Sequence, residues 1–434
     1  MRFRHALAIT VVIQGLTLAV SMAFTLLASR WLGVTGRGMQ SLLTSAAQVC
    51  AMVLGLGFPN AIPSLVGGDP GRAASAMRTQ ALILAAATAV LAVAALVNHV
   101  AHVFVPVIGL EFTFALLVIA TIAHPAYATI ALTVGKTWQF NLAALLTSLA
   151  GLVILAIGYA LHSIDVSFAL AAQAVGFLAG LTYVLLTLRP LLRRRGLAVS
   201  AKLGMRPSRI AVYGFLSTLF ALLAFRGDIV LVTILGGGLR AAGVYSLASF
   251  TAEMFLKIPG WIAQLLTPRV AAQPEQASRQ TVRLMWFSVG LSAAFLGAFW
   301  LVGDYVRVGI QAIVGKDYVE AYTLVGYMSP RIVMQSAGIV LAGNLAGRGY
   351  TPYSPVALFL GMVGVWAFDV VLIPRYGLVG AGLATSLGHV PAFVTLFMGF
   401  LRYNDTSMAQ FLGHSMDMWP GGRRGVAGRR ENGE

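Results

Sequence analysis

Two charged residues, Arg226 and Asp228, stand inside the apolar run 222–238, which reads LLAFRGDIVLVTILGGG. A guanidinium can hold a phosphate or a carboxylate through two parallel hydrogen bonds, and a buried carboxylate can take part in a proton relay. Residues two positions apart point to nearly opposite sides of a helix. We therefore expect each charge to need its own partner rather than to neutralise the other.

Four more ionisable residues lie deep in apolar runs of the second half: Glu253, Lys257, Arg331 and Asp369. Each would cost at least about 2.5–3.5 kcal/mol at the centre of an isolated helix in lipid, so we expect them to face protein or a wet cavity. Glu253 precedes Lys257 by four residues, a spacing that predicts a salt bridge on one helix face. An arginine-rich cavity at this depth would suit an anionic substrate.

The composition defines the class of protein that must position these charges. Of 434 residues, 58% are hydrophobic and 10% are charged, whereas a soluble domain has about 25% charged residues. The mean hydropathy is +0.83. The sequence therefore predicts an all-α polytopic membrane protein, since a helix of about 20 apolar residues crosses a bilayer. The twelve predicted spans are 7–31, 39–66, 77–99, 110–132, 141–161, 167–188, 209–235, 241–268, 281–302, 317–342, 353–374 and 377–402.

The basic residues, which give a net charge of +16, follow the predicted loops. With the N-terminus in the cytoplasm, the inner segments hold 21 lysines and arginines and the outer segments hold six. This bias predicts that both termini are cytoplasmic, and it explains the high charge without nucleic acid. The outer six are Arg30, Arg37, Arg240, Arg307, Lys316 and Arg375.

The first helix pair of each half carries a weak internal repeat. After a two-residue insertion, three small or turn-forming residues match at one constant offset: Gly38 with Gly243, Ser41 with Ser246, and Pro63 with Pro268. Two six-helix units have the same orientation in the membrane, as in transporters built from parallel repeats. We expect a first bundle over 1–188, a basic cytoplasmic linker over 189–208, a second bundle over 209–402, and a disordered basic tail over 403–434.

Catalytic motifs are missing from the sequence. It has no GK[ST] phosphate loop, and no carboxylate pair or Ser/His/Asp set on a loop that a soluble substrate could reach. No cluster of residue types and spacing indicates a metal site. A transporter without a cofactor, coupled to a proton or sodium gradient, is therefore favoured over an enzyme.

Five segments in order resemble the polysaccharide flippase (Wzx-like) branch of the multidrug/oligosaccharidyl-lipid/polysaccharide exporter superfamily: ASRWLGVTGRG, FPNAI, FRGDIVLVTILGG, AGVYSLASFTAEMFLKIPG and YGLVGAGLATSLG. The resemblance covers about residues 5–402. It implies a multi-pass protein of the bacterial plasma membrane with a central cationic cavity.

By this resemblance the substrate is an undecaprenyl-pyrophosphate-linked oligosaccharide, moved from the cytoplasmic to the outer leaflet for polysaccharide biosynthesis. The glycosyltransferases and polymerase of the same pathway are the expected partners. The predicted substrate-binding residues are Arg30, which matches an arginine that often ends the first helix, and Arg226. Arg331 is added to them because it lies close to the middle of its predicted span. Asp228, Glu253, Lys257 and Asp369 would couple ions or form structural pairs, with Asp228 directed toward Arg331 or Lys257.

Two alternatives remain open. A multidrug exporter of the same superfamily should expose net acid in its cavity, whereas three of the six intramembrane charges are basic. A membrane glycan polymerase or ligase usually presents a long outer loop, but the longest one here runs only from about 303 to 316.

Overall fold

The computed structural model describes residues 3–67, 69–101, 109–192, 209–349 and 351–416, and within these ranges the regular structure is entirely helical. A short 3-10 helix, Lys316–Tyr318, stands between α11 and α12. The α-helices are α1 Phe3–Leu54, α2 Phe58–Val66, α3 Pro70–Ala101, α4 Glu111–Thr133, α5 Thr137–Ala160, α6 Val166–Leu192, α7 Arg209–Leu235, α8 Gly238–Phe255, α9 Lys257–Ala272, α10 Pro274–Leu301, α11 Gly303–Ile313, α12 Val319–Gly347, α13 Tyr353–Tyr403 and α14 Met408–Met416.

Eight helices in the described ranges are long and apolar enough to cross a membrane. Two of them are longer than one span, because α1 continues through Gly33 and α13 through Gly377. Both glycines have a positive φ, 68° and 59°, which a residue with a side chain rarely adopts. Each long helix therefore contains two helical segments joined at a kink, and the predicted all-α polytopic class is confirmed.

The second helix of each half is broken. The segment of α1 after Gly33 ends at Leu54, and α2 begins at Phe58 after a three-residue turn. In the second half, α8 ends at Phe255 and α9 begins at Lys257. Pro59 and Pro259 lie in the first turns of α2 and α9, where a missing N–H is tolerated. A proline thus lies just after each interruption, and each of these predicted spans proved to be two helices.

Two helices occupy regions where none was expected. The stretch predicted as the longest outer loop contains α11, and the predicted disordered tail contains α14. Phe411 of α14 is buried and packs edge-on against Phe397, with a centroid separation of 5.0 Å. Burial of this aromatic side chain explains why residues 408–416 are ordered. Most of the linker, 193–208, and the tail from 417 lie outside the described residues.

The chain packs into two compact units, one of residues 1–248 and 307–322 and the other of residues 249–306 and 323–434. We call them unit 1 and unit 2. Unit 1 extends beyond the predicted first bundle because α7 packs against α1 and α2. The predicted boundary within 189–208 stays a prediction.

Glycine packing supports the internal repeat within each unit. In unit 1, a β-carbon added at Gly176 of α6 would lie 3.2 Å from the amide nitrogen of Gly151 on α5. In unit 2, one added at Gly364 would lie 2.8 Å from the carbonyl oxygen of Gly388, on the other segment of α13. The last two helical segments of each half thus approach through a glycine on each side, a contact common between helices in membranes.

Candidate functional site

The segment of α1 after Gly33 crosses α8 within unit 1, and the contact is reciprocal. A β-carbon added at Gly38 would overlap the carbonyl oxygen of Leu239 and lie 2.8 Å from its carbonyl carbon. One added at Gly243 would overlap the carbonyl oxygen of Val34 and lie 2.9 Å from its carbonyl carbon. Val34 and Leu239 are separated by the same 205 positions as Gly38 and Gly243. The predicted repeat is therefore a near-symmetric backbone contact between matching helices.

A line of polar residues follows this crossing along α1. Arg37, Gln40, Thr44 and Gln48 are spaced by three, four and four residues, so they lie along one side of the helix. Gln40 is buried, and the Arg37 side chain is only 8% exposed. We call these four residues the polar ladder. It gives an otherwise apolar helix a continuous hydrogen-bonding strip.

Other helices of unit 1 contact the polar ladder at two points. The Arg226 Nε atom on α7 donates a hydrogen bond of 2.8 Å to Gln48 Oε1. The Thr44 hydroxyl donates one of 2.9 Å to Gln173 Oε1 on α6. Arg226 also lies within electrostatic range of Arg37. The predicted site residue Arg226 therefore belongs to a polar cluster shared by α1, α6 and α7.

Asp228 takes a different direction from Arg226, as their spacing predicted. It is fully buried, and its Oδ2 atom accepts a hydrogen bond of 2.6 Å from the Tyr245 hydroxyl on α8. Its Oδ1 atom accepts a bond of 2.7 Å from the backbone amide of Ile229. Tyr245 was not foreseen as a partner, and the predicted direction toward Arg331 or Lys257 stays a prediction. A charge-assisted hydrogen bond of this length holds α7 against α8.

Arg37 and Gln40 leave hydrogen-bond donors unused. Arg37 Nη1 donates to Gln40 Oε1 at 2.7 Å. Within the described residues, Arg37 Nε and Gln40 Nε2 are buried and meet no acceptor. Tyr318 lies within electrostatic range of Arg37, but its hydroxyl donates to the backbone carbonyl of Ser29 at 3.1 Å. This end of the polar ladder therefore holds a surplus of donors and positive charge.

The polar ladder has a counterpart in the second half. At the repeat offset of 205, three of its members match polar or ionisable residues: Gln40 with Tyr245, Thr44 with Ser249, and Gln48 with Glu253. Arg37 matches Ala242 instead. A polar strip in each of two matching apolar helices is visible in the sequence, but of its members only Glu253 was predicted as a site residue. Arg37 was counted there as a loop charge.

Arg30 has a different environment from Arg226. Its exposed guanidinium donates from Nη1 to the carbonyls of Ala312 and Ile313, at 2.7 and 2.9 Å. These carbonyls end α11, where a cation is favoured by the helix dipole. Arg30 thus bonds to the end of α11 in unit 1, and its predicted substrate-binding role stays a prediction.

A second buried polar group lies in unit 2. Arg331 of α12 is fully buried, and its Nε atom donates to Gln335 Oε1 at 3.1 Å, one turn further along. His389 of α13 lies within electrostatic range of Arg331, and its Nδ1 atom is 2.7 Å from the Thr385 carbonyl oxygen. Asp369 of α13 is also fully buried. The predicted residues Arg331 and Asp369 are therefore buried within unit 2 and not exposed on its surface.

The predicted pairing of Glu253 with Lys257 assumed one continuous helix. Glu253 lies near the end of α8, whereas Lys257 is the first residue of α9 and has an exposed side chain. Pro259 cannot donate to the Phe255 carbonyl, and its ring crowds that position, so the helix breaks between the two charges. The argument from spacing therefore does not apply as stated, and the ion-coupling roles stay predictions.

The fold is that of the MATE transporters. The inward-facing structure of a multidrug resistance MATE family transporter of the MOP superfamily aligns with a TM-score of 0.64 and 15% identity, over 90% of this chain and 98% of that one. An outward-facing structure of such a transporter aligns with a TM-score of 0.66 and 16% identity, over 92% and 96% of the two chains.

A third neighbour is a MOP superfamily transporter from Pyrococcus furiosus, for which a reverse polarity of the binding pocket suggests a different function. It aligns with a TM-score of 0.66 and 15% identity, over 92% of this chain and 96% of that one. No family model matches the sequence. The uncharacterized membrane protein YabM of Bacillus subtilis (strain 168) is 38% identical over 55 residues, which span 13% of this chain and 10% of that protein.

Proposed function

We propose that this chain is a secondary transporter that moves an undecaprenyl-pyrophosphate-linked oligosaccharide from the cytoplasmic to the outer leaflet of the bacterial plasma membrane. Transport proceeds by alternating access and is driven by a proton or sodium gradient. The MATE fold supports the transporter class. The substrate is inferred from the charge that the helices of unit 1 hold.

One observation carries the choice of substrate. Arg226 lies inside an apolar helix, hydrogen-bonded to Gln48 and within electrostatic range of a second, buried arginine, Arg37. Two guanidinium groups, one of them buried, repel a cationic solute and attract a phosphate or a sugar acid. The diphosphate of a lipid-linked glycan has the charge and geometry to bind them bidentately.

Arg226 and Asp228 have different hydrogen-bond partners, which supports different roles for the two residues. The buried carboxylate of Asp228 accepts hydrogen bonds from the Tyr245 hydroxyl and from the backbone amide of Ile229. A buried carboxylate joining α7 to α8 suits either a structural role or the ion-coupling step. In this proposal Arg226 recognises substrate and Asp228 acts on the helix pair.

The proposal is tested by deleting the gene and then expressing either the wild-type chain or the Arg226→Ala variant. We expect the deletion strain to lose its surface polysaccharide and to accumulate the lipid-linked precursor on the inner leaflet. Wild type should restore display, whereas Arg226→Ala should reach the membrane without restoring it. Full display and no precursor accumulation in the deletion strain would contradict the proposal.

A multidrug exporter is the second candidate, because two of the structures that share the fold are multidrug resistance transporters. Such a protein should bind cationic solutes through a free carboxylate, whereas Asp228 is bonded to Tyr245. Efflux of a cationic dye from cells that express this chain, lost in Asp228→Asn, would favour this candidate.

A further inference from the structure

We propose that α14 is an interfacial helix that binds the headgroup layer of a membrane containing anionic phospholipids. Two exposed apolar side chains of α14 enter that layer, and arginines at the neighbouring helix ends of unit 2 attract the negative charge. This surface is separate from the polar cluster of unit 1, and its binding of lipid does not depend on which substrate is transported.

The turn between α13 and α14 has a defined conformation. The backbone amide of Asn404 donates to the carbonyl of Phe400, and that of Thr406 donates to the carbonyl of Leu401. Between them, Asp405 has a φ of 45°. A residue in this left-handed conformation commonly ends a helix and turns the chain away from the helix axis. The chain therefore leaves α13 at a fixed angle.

α14 also has its own start signal. The Ser407 amide donates to Gln410 Oε1 at 2.9 Å, and the Gln410 amide donates to the Ser407 hydroxyl at 3.2 Å. This reciprocal pair is a capping box, which satisfies amides at the start of a helix. The next residue, Phe411, packs edge-on against Phe397 and Phe400, with centroid separations of 5.0 and 6.4 Å. The position of α14 on unit 2 is therefore specified by local sequence and by one buried ring.

Hydrogen bonds join the start of α14 to the ends of two other helices. The hydroxyls of Thr406 and Ser278, the latter on α10, are 2.8 Å apart. Asn404 Nδ2 donates to Asn344 Oδ1 on α12 at 2.9 Å, and Asn344 Nδ2 donates to the Thr281 hydroxyl on α10 at 2.8 Å. The ends of α10, α12 and α13 therefore meet beside α14, which itself packs against α10.

The apolar surface of α14 consists of Met408 and Leu412, each 51% exposed. They are four positions apart, so they lie on one side of the helix. The helix begins shortly after the last predicted span, which ends at 402, so it lies near the membrane surface. Two side chains are too few for a stable protein interface of about 800 Å² per partner. A short helix with an apolar side suits the boundary between headgroups and acyl chains.

The helix ends around α14 carry an excess of positive charge. Arg348 Nη2 donates to Asn404 Oδ1 at 2.8 Å, and Arg279 follows Ser278 in the sequence. A membrane leaflet that contains anionic lipids attracts basic residues near its surface. The five arginines at these ends, against the two carboxylates of Glu275 and Asp405, are Arg269, Arg279, Arg283, Arg348 and Arg402. The charge therefore favours anionic over zwitterionic headgroups.

The charge is tested on the purified full-length chain in detergent, with thermal unfolding as the readout. The probes are dioleoyl phosphatidylglycerol and dioleoyl phosphatidylcholine, which share their acyl chains and differ in charge. A ligand that binds the folded state raises the unfolding midpoint. We expect phosphatidylglycerol to act at a concentration at least fivefold lower than phosphatidylcholine, and this preference to be lost when Arg283→Gln and Arg402→Gln are combined. The matched control is Arg240→Gln, an exposed arginine of unit 1, which should keep the preference.

The apolar contact is tested with an environment-sensitive fluorophore on Leu412→Cys, in a Cys50→Ala background, after reconstitution into bilayers that contain brominated lipids. We expect quenching at least threefold stronger than for the same label on Gln410→Cys. Gln410 is two positions from Leu412 and so points away from it. The backbone bond from position 410 to the Ser407 hydroxyl does not need the glutamine side chain, so the control keeps part of the capping box.

Four results would overturn the proposal. Equal effects of the two lipids on wild type would show that the surface has no preference for charge. A preference that survives the combined arginine variant would place the anionic lipid elsewhere, as would a preference that is lost only when residues 417–434 are deleted. Equal quenching of the two labels would show that Leu412 does not enter the bilayer. Cross-linking of two chains through Leu412→Cys, without quenching by lipid, would mean that a second copy covers α14.

Discussion

Gln40 in α1 and Tyr245 in α8 occupy matching positions of the two halves, but their surroundings differ. Tyr245 donates to the buried carboxylate of Asp228, so its polar group is satisfied within the protein. The Gln40 amide nitrogen and its neighbour Arg37 Nε meet no acceptor in the part of the chain described. The backbones around them cross through matching glycines. The halves thus share this backbone contact, and the second half adds a buried carboxylate beside it.

This difference shows how two helices that share a backbone contact can carry different side-chain chemistry. The reciprocal contact of Gly38 and Gly243 needs the same small residue on both helices, because each approaches a backbone carbonyl of the other. The side chains that flank the contact are free to diverge. We infer that the second half uses its carboxylate to hold α7 against α8, whereas in the first half Arg37 pairs with no carboxylate of the described residues.

The largest effect is expected at the glycine contact that the two halves share. Gly38→Ala and Gly243→Ala should each destabilise the protein by about 3 kcal/mol and reduce transport at least tenfold, because the added methyl group meets backbone that cannot rotate away. Thermal unfolding and a transport assay measure the two effects. Gly15→Ala is the control, since an added β-carbon there has no atom within 4 Å. If Gly243→Ala kept the stability and transport of wild type while Gly38→Ala lost both, the two sides of the contact would not be equivalent.

The next largest effect is expected in the second half, where Tyr245 and Asp228 are hydrogen-bonded to each other. Tyr245→Phe removes the hydroxyl and leaves the buried Asp228 carboxylate without that charge-assisted hydrogen bond, which should cost about 2 kcal/mol. The loss should appear as a lower unfolding midpoint in detergent. Asp228→Asn retains an acceptor for the tyrosine and should cost less. An unchanged midpoint for Tyr245→Phe would show that the pair does not hold α7 against α8.

A smaller effect is expected at the matching position of the first half. Gln40→Met removes the acceptor of a charge-assisted hydrogen bond from Arg37, but it also removes an unused buried donor, which partly offsets the loss, so its net cost should be about 1 kcal/mol. The comparison is made by unfolding the Gln40→Met and Tyr245→Phe variants under the same conditions. Equal costs at the two positions would mean that both polar groups serve the same structural purpose.

The smallest effect lies outside the matched positions. Arg240→Gln breaks the exposed ion pair with Asp317, whose atoms are 2.8 Å apart, and should change stability by less than about 1 kcal/mol. Transport should be unchanged within twofold. A strong loss of transport in this variant would show that arginine charge anywhere in unit 1 matters, and would weaken the assignment of a particular site.

Part of this account could be predicted from the sequence. The constant offset between Gly38 and Gly243 could be recognised in the sequence. A glycine that packs against backbone cannot be replaced by a larger residue without a clash, so both copies of the repeat keep a glycine at this position. The interruptions near Pro59 and Pro259 were visible for a similar local reason. The opposite directions of Arg226 and Asp228 followed from helix geometry alone.

The partners could not be predicted. Arg226 bonds to Gln48, which lies 178 positions away, and many polar side chains in other helices could have accepted the same bond. Arg37 was taken as a loop charge because burial depends on the kink at Gly33, which continues the helix where a loop was expected. The environment of Arg30 depended on α11, a helix too short to be predicted as a span.

The central claim is that arginine charge in the apolar helices of unit 1 recognises a lipid-linked anion for transport. The most direct test is translocation of a fluorescent undecaprenyl-pyrophosphate-linked oligosaccharide in proteoliposomes carrying an imposed proton or sodium gradient. We predict that wild type moves the lipid at least tenfold faster than protein-free liposomes, and that Arg226→Ala reduces this to the protein-free rate while retaining the wild-type unfolding midpoint. Equal rates for wild type and Arg226→Ala, or for wild type and empty liposomes, would contradict the account.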